Sequence, residues 1–148
     1  MKKVLILGFS GSGKSTFARQ LGNAINIPVI HLDTVYWKPG WVASNKQEWD
    51  KVITMLLEQE EYIIDGNYPT SLNRRLLEAD TVFYFDLSIF LCLYRVLKRR
   101  LSTQGETAID RAGGCSEPIN LLFFVKWIWN FRKRYRNFKQ KKAGIIKV

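Results

Sequence analysis

Cysteine occurs twice and histidine once in 148 residues, and no Cys-x-x-Cys pair or Cys/His cluster can be drawn from them. That excludes a disulfide framework and a structural zinc site. Cys92 and Cys115 read as free thiols of a reducing cytoplasm. Long hydrophobic runs are missing as well. The longest, Leu121 to Phe131, is broken by Lys126 and is about half of the ~20 residues that a membrane helix needs, so no spanning segment is expected. The opening Met1-Lys2-Lys3 precedes only four apolar residues, Val4 to Leu7, and no small-residue cleavage site follows. It reads as a first strand rather than a signal peptide. No repeat, low-complexity segment or linker divides the chain, and 47% apolar with 24% charged residues suits one globular domain over 1–148.

The third scarcity is of acid in the C-terminal part. Residues 92–148 hold three acidic side chains against fourteen basic ones, whereas residues 1–91 hold ten against nine. The net charge of +10 is therefore gathered in the last third, which faces something anionic: nucleic acid, lipid headgroups or the phosphates of a small ligand.

What is present is an alternation of extended and helical patterns from end to end, the signature of a parallel sheet with crossover helices. Short apolar runs predict strands at 3–7, 29–32, 62–64 and 81–85, with a weaker one at 144–148. Trp49, Val52, Ile53, Leu56 and Leu57 recur at helical spacing, and Ser44-Asn45-Lys46-Gln47 supplies a capping-box start before them. Further helices are predicted at 90–101 and 118–138. Between these lies a polar, glycine-containing stretch, 102–117, that reads as a loop.

Directly after the first strand comes Gly8-Phe9-Ser10-Gly11-Ser12-Gly13-Lys14-Ser15, which meets the G-x-x-x-x-G-K-[ST] pattern at every fixed position. The glycines let successive backbone N–H groups turn inward around phosphate oxygens, and the following helix adds its partial positive charge. Gly8, Ser10, Gly11, Ser12, Gly13, Lys14, Ser15 and Thr16 are thus the candidate ATP-binding set. Lys14 is placed to reach the β- and γ-phosphates, and the Ser15 hydroxyl to ligate Mg²⁺. Asp65 and Asp33 close the third and second predicted strands, so both belong at the C-terminal sheet edge where ligands bind in open α/β folds. A carboxylate there holds Mg²⁺ or accepts a proton from an attacking hydroxyl; the alternative for either is a turn cap. Asp86, followed closely by Ser88, reads as such a cap.

The Gly8–Ser15 loop, Asp65-Gly66, and Arg95-x-x-x-Arg99-Arg100 leading into a loop together resemble the adenylate-kinase-like P-loop kinases. His31-Leu32-Asp33, Pro39-Gly40-Trp41, Ile64-Asp65-Gly66-Asn67-Tyr68, Tyr94 to Arg100 and Gly114-Cys115 are similar, more closely, to the small bacterial DNA topology modulation proteins (FlaR-related), over about residues 2–136. The resemblance implies a three-layer α/β P-loop NTPase fold with a five-stranded parallel sheet in the order 2-3-1-4-5. It also implies an acceptor segment over about 33–60 and a short lid over about 102–117. On that mapping Arg95 and Arg99, with Arg100, feed the lid and contact the transferring phosphoryl group, Arg99 and Arg111 help to bind the nucleotide, and Arg111 or Arg132 closes on it. A solvated or RNA-facing helix surface is the alternative for Arg95 to Arg100.

The acceptor side departs from true adenylate kinases. The stretch from Thr34 to Ala43 holds only Lys38 as a cation, and Arg74 and Arg75 are the residues left to compensate. Otherwise the acceptor is a hydroxylated metabolite rather than a nucleoside monophosphate, with Asp33 as its orienter and base. Tyr36, Trp37 and Trp41 suit a planar base, a sugar face or plain packing.

Phe123, Trp127, Phe131, Tyr135 and Phe138 form a core-type stripe, interleaved with the basic run Arg132 to Arg136 and Lys139 to Lys142. That run suits ATP, nonspecific nucleic acid or anionic lipid. No helix behind 144–148 is seen; a missing terminal helix would expose a sheet face and favour a dimer. The expectation is a cytoplasmic, ATP- and Mg²⁺-dependent kinase acting on a small acceptor, with Lys14, Asp33, Arg95 and Arg99 in catalysis and Ser15 and Asp65 around the metal. The alternative is a nucleotide-regulated nucleic-acid-binding protein that influences DNA topology.

Overall fold

The computed structural model describes residues 1–40, 42–102 and 145–148. Strand β1 (Lys3–Gly8) is followed by α1 (Lys14–Ile25), β2 (Val29–His31), α2 (Leu32–Tyr36), β3 (Trp37–Lys38), β4 (Val42–Ala43), α3 (Lys46–Leu57), β5 (Tyr62–Asp65), α4 (Pro69–Glu78), β6 (Thr81–Phe85), α5 (Ile89–Ser102) and β7 (Ile145–Lys147). The main sheet runs β2-β5-β1-β6-β7 with every pairing parallel, and β3 and β4 make a separate antiparallel hairpin.

Alternation along β1 divides the core. Val4 and Ile6 pack with Ala18, Ile27, Ile63 and Phe85 on the α1 side, whereas Leu5 and Leu7 join Trp49, Ile53, Leu72 and Leu76 on the side of α3 and α4. Because both faces are covered, β1 and β5 are apolar almost throughout, as the sequence pattern required. Among the described residues no helix is long and apolar enough to cross a membrane.

Two local expectations need correction. The second strand stops at His31, because Leu32 begins α2 and buries its side chain beneath the sheet edge. The capping box of α3 sits one residue later than expected: Asn45 accepts from Glu48 N at 2.9 Å, and Glu48 Oε2 accepts from Asn45 N at 3.1 Å. Ser44 is diverted, donating its hydroxyl to the Tyr36 carbonyl at 2.9 Å. Finally, the acceptor segment carries α2 and the β3-β4 hairpin, both too short to show a period. Residues 103–117 of the expected lid, the helix expected at 118–138 and, with them, Arg111, Cys115, Arg132 and Lys133 to Lys142 lie outside the described residues, as does Trp41.

Candidate functional site

The loop between β1 and α1 is shaped by its glycines. Gly11 has φ +78°, and a Cβ there would fall 2.5 Å from the Cys92 carbonyl and 2.8 Å from Val96, so α5 packs directly on the loop. Gly13, at φ +89°, precedes α1 with open space around its missing side chain. No side chain caps α1 and no acid sits in its first turn, so its leading N–H groups and positive dipole end are offered to an anion. Ser12 is buried, its hydroxyl without a hydrogen-bond partner, and Ser10 and Thr16 flank the same curve. Asn67 fastens the loop from the next strand: its Nδ2 donates to the Gly8 carbonyl at 2.8 Å and its Oδ1 accepts from Gly8 N at 3.2 Å.

Asp65 is the last residue of β5, 4% exposed, and pairs in register with both Ile6 and His31. Its Oδ1 lies 3.5 Å from Lys14 Nζ, which also donates to Ser15 Oγ at 3.3 Å; its Oδ2 lies 2.8 Å from His31 Nδ1. Burial alone would raise the Asp65 carboxyl, but the Lys14 ammonium and the His31 hydrogen bond outweigh it and hold the group below the ordinary carboxylate range. The buried Asp65 carboxylate and the Ser15 hydroxyl, whose hydrogen bond also lowers that carboxyl, make a hard-oxygen pair that fits Mg²⁺. Sequence reasoning did not single out His31 as part of the site. The signal was available: residues ending adjacent parallel strands face each other once the register is known.

Asp33 stands in the first turn of α2, exposed, and its Oδ1 accepts from the Tyr68 hydroxyl at 2.6 Å. Tyr68 opens α4 with φ +29°, an unfavourable backbone for a bulky residue. Arg75 holds it there. Fully buried, Arg75 donates to the carbonyls of Gly66 (2.8 Å), Asn67 (2.5 Å) and Tyr68 (3.0 Å). Arg74 is turned instead to Thr54 Oγ1 at 2.9 Å. Arg75 is therefore spent on the turn and not available for an acceptor phosphate, which corrects the expectation for that residue; Arg74 stays exposed. Tyr36, Trp49 and Tyr68 pack ring on ring at 4.6–4.9 Å, and Tyr36 meets Trp37 at 5.0 Å.

Arg95 is exposed on α5, three residues from the buried thiol of Cys92. Burial pushes that thiol up, and Arg95 partly opposes the shift. The backbone of Arg99 lies in the same helix, one turn beyond Val96. The structure thus brings Lys14, Ser15, Asp65 and His31 into contact and joins Asp33 to Tyr68. Arg95 is set on the helix that covers the loop.

No protein-family model matches the chain. It is 26% identical over 102 residues to a shikimate kinase of Rhodococcus jostii, covering 59% of this chain and 60% of that protein. To a shikimate kinase of Flavobacterium johnsoniae it is 30% identical over 91 residues, covering 52% and 53%. The chain thus spans little more than half the length of these relatives. Among solved structures it resembles the shikimate kinase of Acinetobacter baumannii in complex with shikimate (TM-score 0.62, 15% identity, 100% of this chain and 84% of that one). It also resembles a gluconokinase of Sinorhizobium meliloti (TM-score 0.61, 13% identity, 99% and 82%) and the deoxyadenosine kinase of M. mycoides (TM-score 0.58, 17% identity, 98% and 88%). The chain has the α/β fold of P-loop kinases.

Proposed function

We propose that this chain is an ATP-dependent kinase that transfers the γ-phosphoryl group to a hydroxyl of a small acceptor. The contact that carries the reading is Lys14 with Asp65, 3.5 Å apart and nearly closed to solvent at the mouth of the glycine loop. That pair joins a cation for phosphate oxygens to a carboxylate for a metal. The backbone of Gly8 to Thr16 cradles the triphosphate, and Lys14 moves from Asp65 to the β- and γ-phosphates. Ser15 and Asp65 would hold Mg²⁺, which would neutralise charge on the phosphate oxygens. Asp33 orients the acceptor hydroxyl and takes its proton as the hydroxyl oxygen attacks the γ-phosphorus, whose bond to the β–γ bridging oxygen breaks to release ADP. Arg95 and Arg99, with Arg111 or Arg132, steady the transferring group. The fold shared with kinases, and the partial sequence similarity to shikimate kinases, support this.

ADP release followed across a panel of acceptors tests the reading. Acceptor-dependent release, retained in buffer controls only at background and reduced on the order of 10²-fold or more in Asp33→Asn and Asp65→Asn, is the expected result. The DNA-topology alternative rests on the resemblance and on the charge of residues 92–148. Steeply salt-dependent retention on duplex DNA without ATP turnover would favour it.

A further inference from the structure

Resting on the kinase reading, the acceptor side carries a narrower conclusion about what is phosphorylated. We propose that Asp33 and Tyr68 form a paired acceptor subsite, backed by the Tyr36 ring, that takes an uncharged hydroxylated ring and discriminates against acceptors bearing phosphate or carboxylate. Tyr68 is its positioning residue.

The Tyr68 hydroxyl is fixed from two directions. It donates to Asp33 Oδ1 at 2.6 Å, and the Trp37 side chain hydrogen-bonds the same oxygen. An indole N–H only donates, so Trp37 holds the hydroxyl in the sense that points its proton at Asp33. The phenol is kept neutral, its pKa driven upward by burial first and by the Asp33 charge second. With Oδ1 so occupied, the second carboxylate oxygen of an exposed side chain is the one left for an acceptor hydroxyl. The backbone is committed to this arrangement too. Tyr68 keeps its positive φ because Arg75, itself without solvent contact, grips three successive carbonyls of the 66–68 turn. Asn67, the residue between, is bonded to Gly8. One short turn therefore bonds both to the phosphate loop, through Asn67, and to the acceptor carboxylate, through Tyr68.

Charge and surface set the class of acceptor. The half-buried rings of Tyr36 and Tyr68, packed on one another and on Trp49, make an aromatic cluster at Asp33 of the kind that a sugar or nucleoside ring lies against. Of the three cations that residues 1–91 offer for an anionic acceptor, Arg75 is buried and spent on the turn, while Lys38 and Arg74 are exposed and turned to Glu48 Oε2 at 2.9 Å and Thr54 Oγ1 at 2.9 Å. An anion beside the Asp33 carboxylate would also meet like-charge repulsion.

The test uses the whole chain with ATP and Mg²⁺ and follows phosphoester formation on three acceptor sets: neutral sugars, polyols and nucleosides; shikimate and gluconate; and nucleoside monophosphates. Product from a neutral acceptor, with the anionic sets at least 10-fold poorer in kcat/KM, is expected. Product formed best from a carboxylate or monophosphate overturns the proposal while leaving the kinase reading intact. No product from any set overturns the kinase reading and the proposal with it. With the active acceptor, Tyr68→Phe keeps the ring packing and removes the hydroxyl. A loss on the order of 10-fold in kcat/KM for the acceptor, with ATP affinity and Tm unchanged, is expected for a bond to a charged group. A shift of ATP affinity and acceptor kinetics in parallel with Tm would instead make Tyr68 merely structural.

Discussion

His31 Nδ1 holds one oxygen of Asp65 at 2.8 Å while Lys14 stands at the other. When Lys14 turns to a phosphate, His31 stays as a restraint on the carboxylate's orientation toward a metal, on the side away from Ser15. Such outer partners commonly tune metal affinity by 10–100-fold. His31→Leu, which leaves room but no hydrogen bond, should weaken the Mg²⁺ dependence of ATP binding in calorimetry by about 10-fold or more. His31→Asn, which can still donate, should recover part of the loss. Equal metal dependence in all three proteins would show that Asp65 is held by its strand alone. The single histidine was visible in the sequence, but its partner stands 34 positions away and reaches it only through the parallel register of β2 and β5.

At the scale of elements, the contact between α5 and the phosphate loop is the tightest constraint near the site. A methyl group on Gly11 would lie 2.5 Å from a backbone carbonyl of α5, at a φ that side chains rarely adopt. Gly11→Ala should therefore displace α5 or the loop and lower ATP affinity by at least 10-fold in a binding titration. Unchanged affinity would mean that the loop does not depend on this packing. The loop itself was legible from its residue spacing, as were β1, β5 and β6 from their apolar runs, because short-range chemistry dictates them. The α3 cap slipped by one residue, since Ser44 and Asn45 are both good caps and only the tertiary bond from Ser44 to Tyr36 separates them. Five-residue α2 and a hairpin of two-residue strands carry no period to read. Arg75 misled for a different reason: nothing local shows that an arginine beside an exposed one is fully buried and spent on carbonyls.

For the whole molecule, two buried ionisable groups bound the pH range of stability. The Asp65 carboxyl is lowered in the folded state, so its contribution is complete above the ordinary carboxylate pKa of about 4 and is lost as pH falls through its own lower value. Tyr62 is buried on the opposite end of β5, and burial pushes its phenol up to about 12. Its contribution is complete below the unfolded value of about 10 and disappears as pH rises toward 12. Thermal melts should accordingly fall at both extremes of pH, with Tyr62→Phe relieving the part of the alkaline fall that the buried Cys92 thiol, also pushed up, does not cause. Charge is divided along the sequence: Asp33 and Asp65 belong to the nearly neutral residues 1–91, and the basic excess follows from residue 92 onward. The central claim is that these parts move a phosphoryl group from ATP to a hydroxyl. It is tested most directly by incubating the protein with γ-labelled ATP, Mg²⁺ and the acceptor sets, then recovering label as an acid-stable phosphoester. The account predicts label on an acceptor with the natural chain and a loss on the order of 10²–10³-fold with Lys14→Ala. Label remaining in ATP or appearing only as inorganic phosphate, or equal transfer by Lys14→Ala, would contradict it.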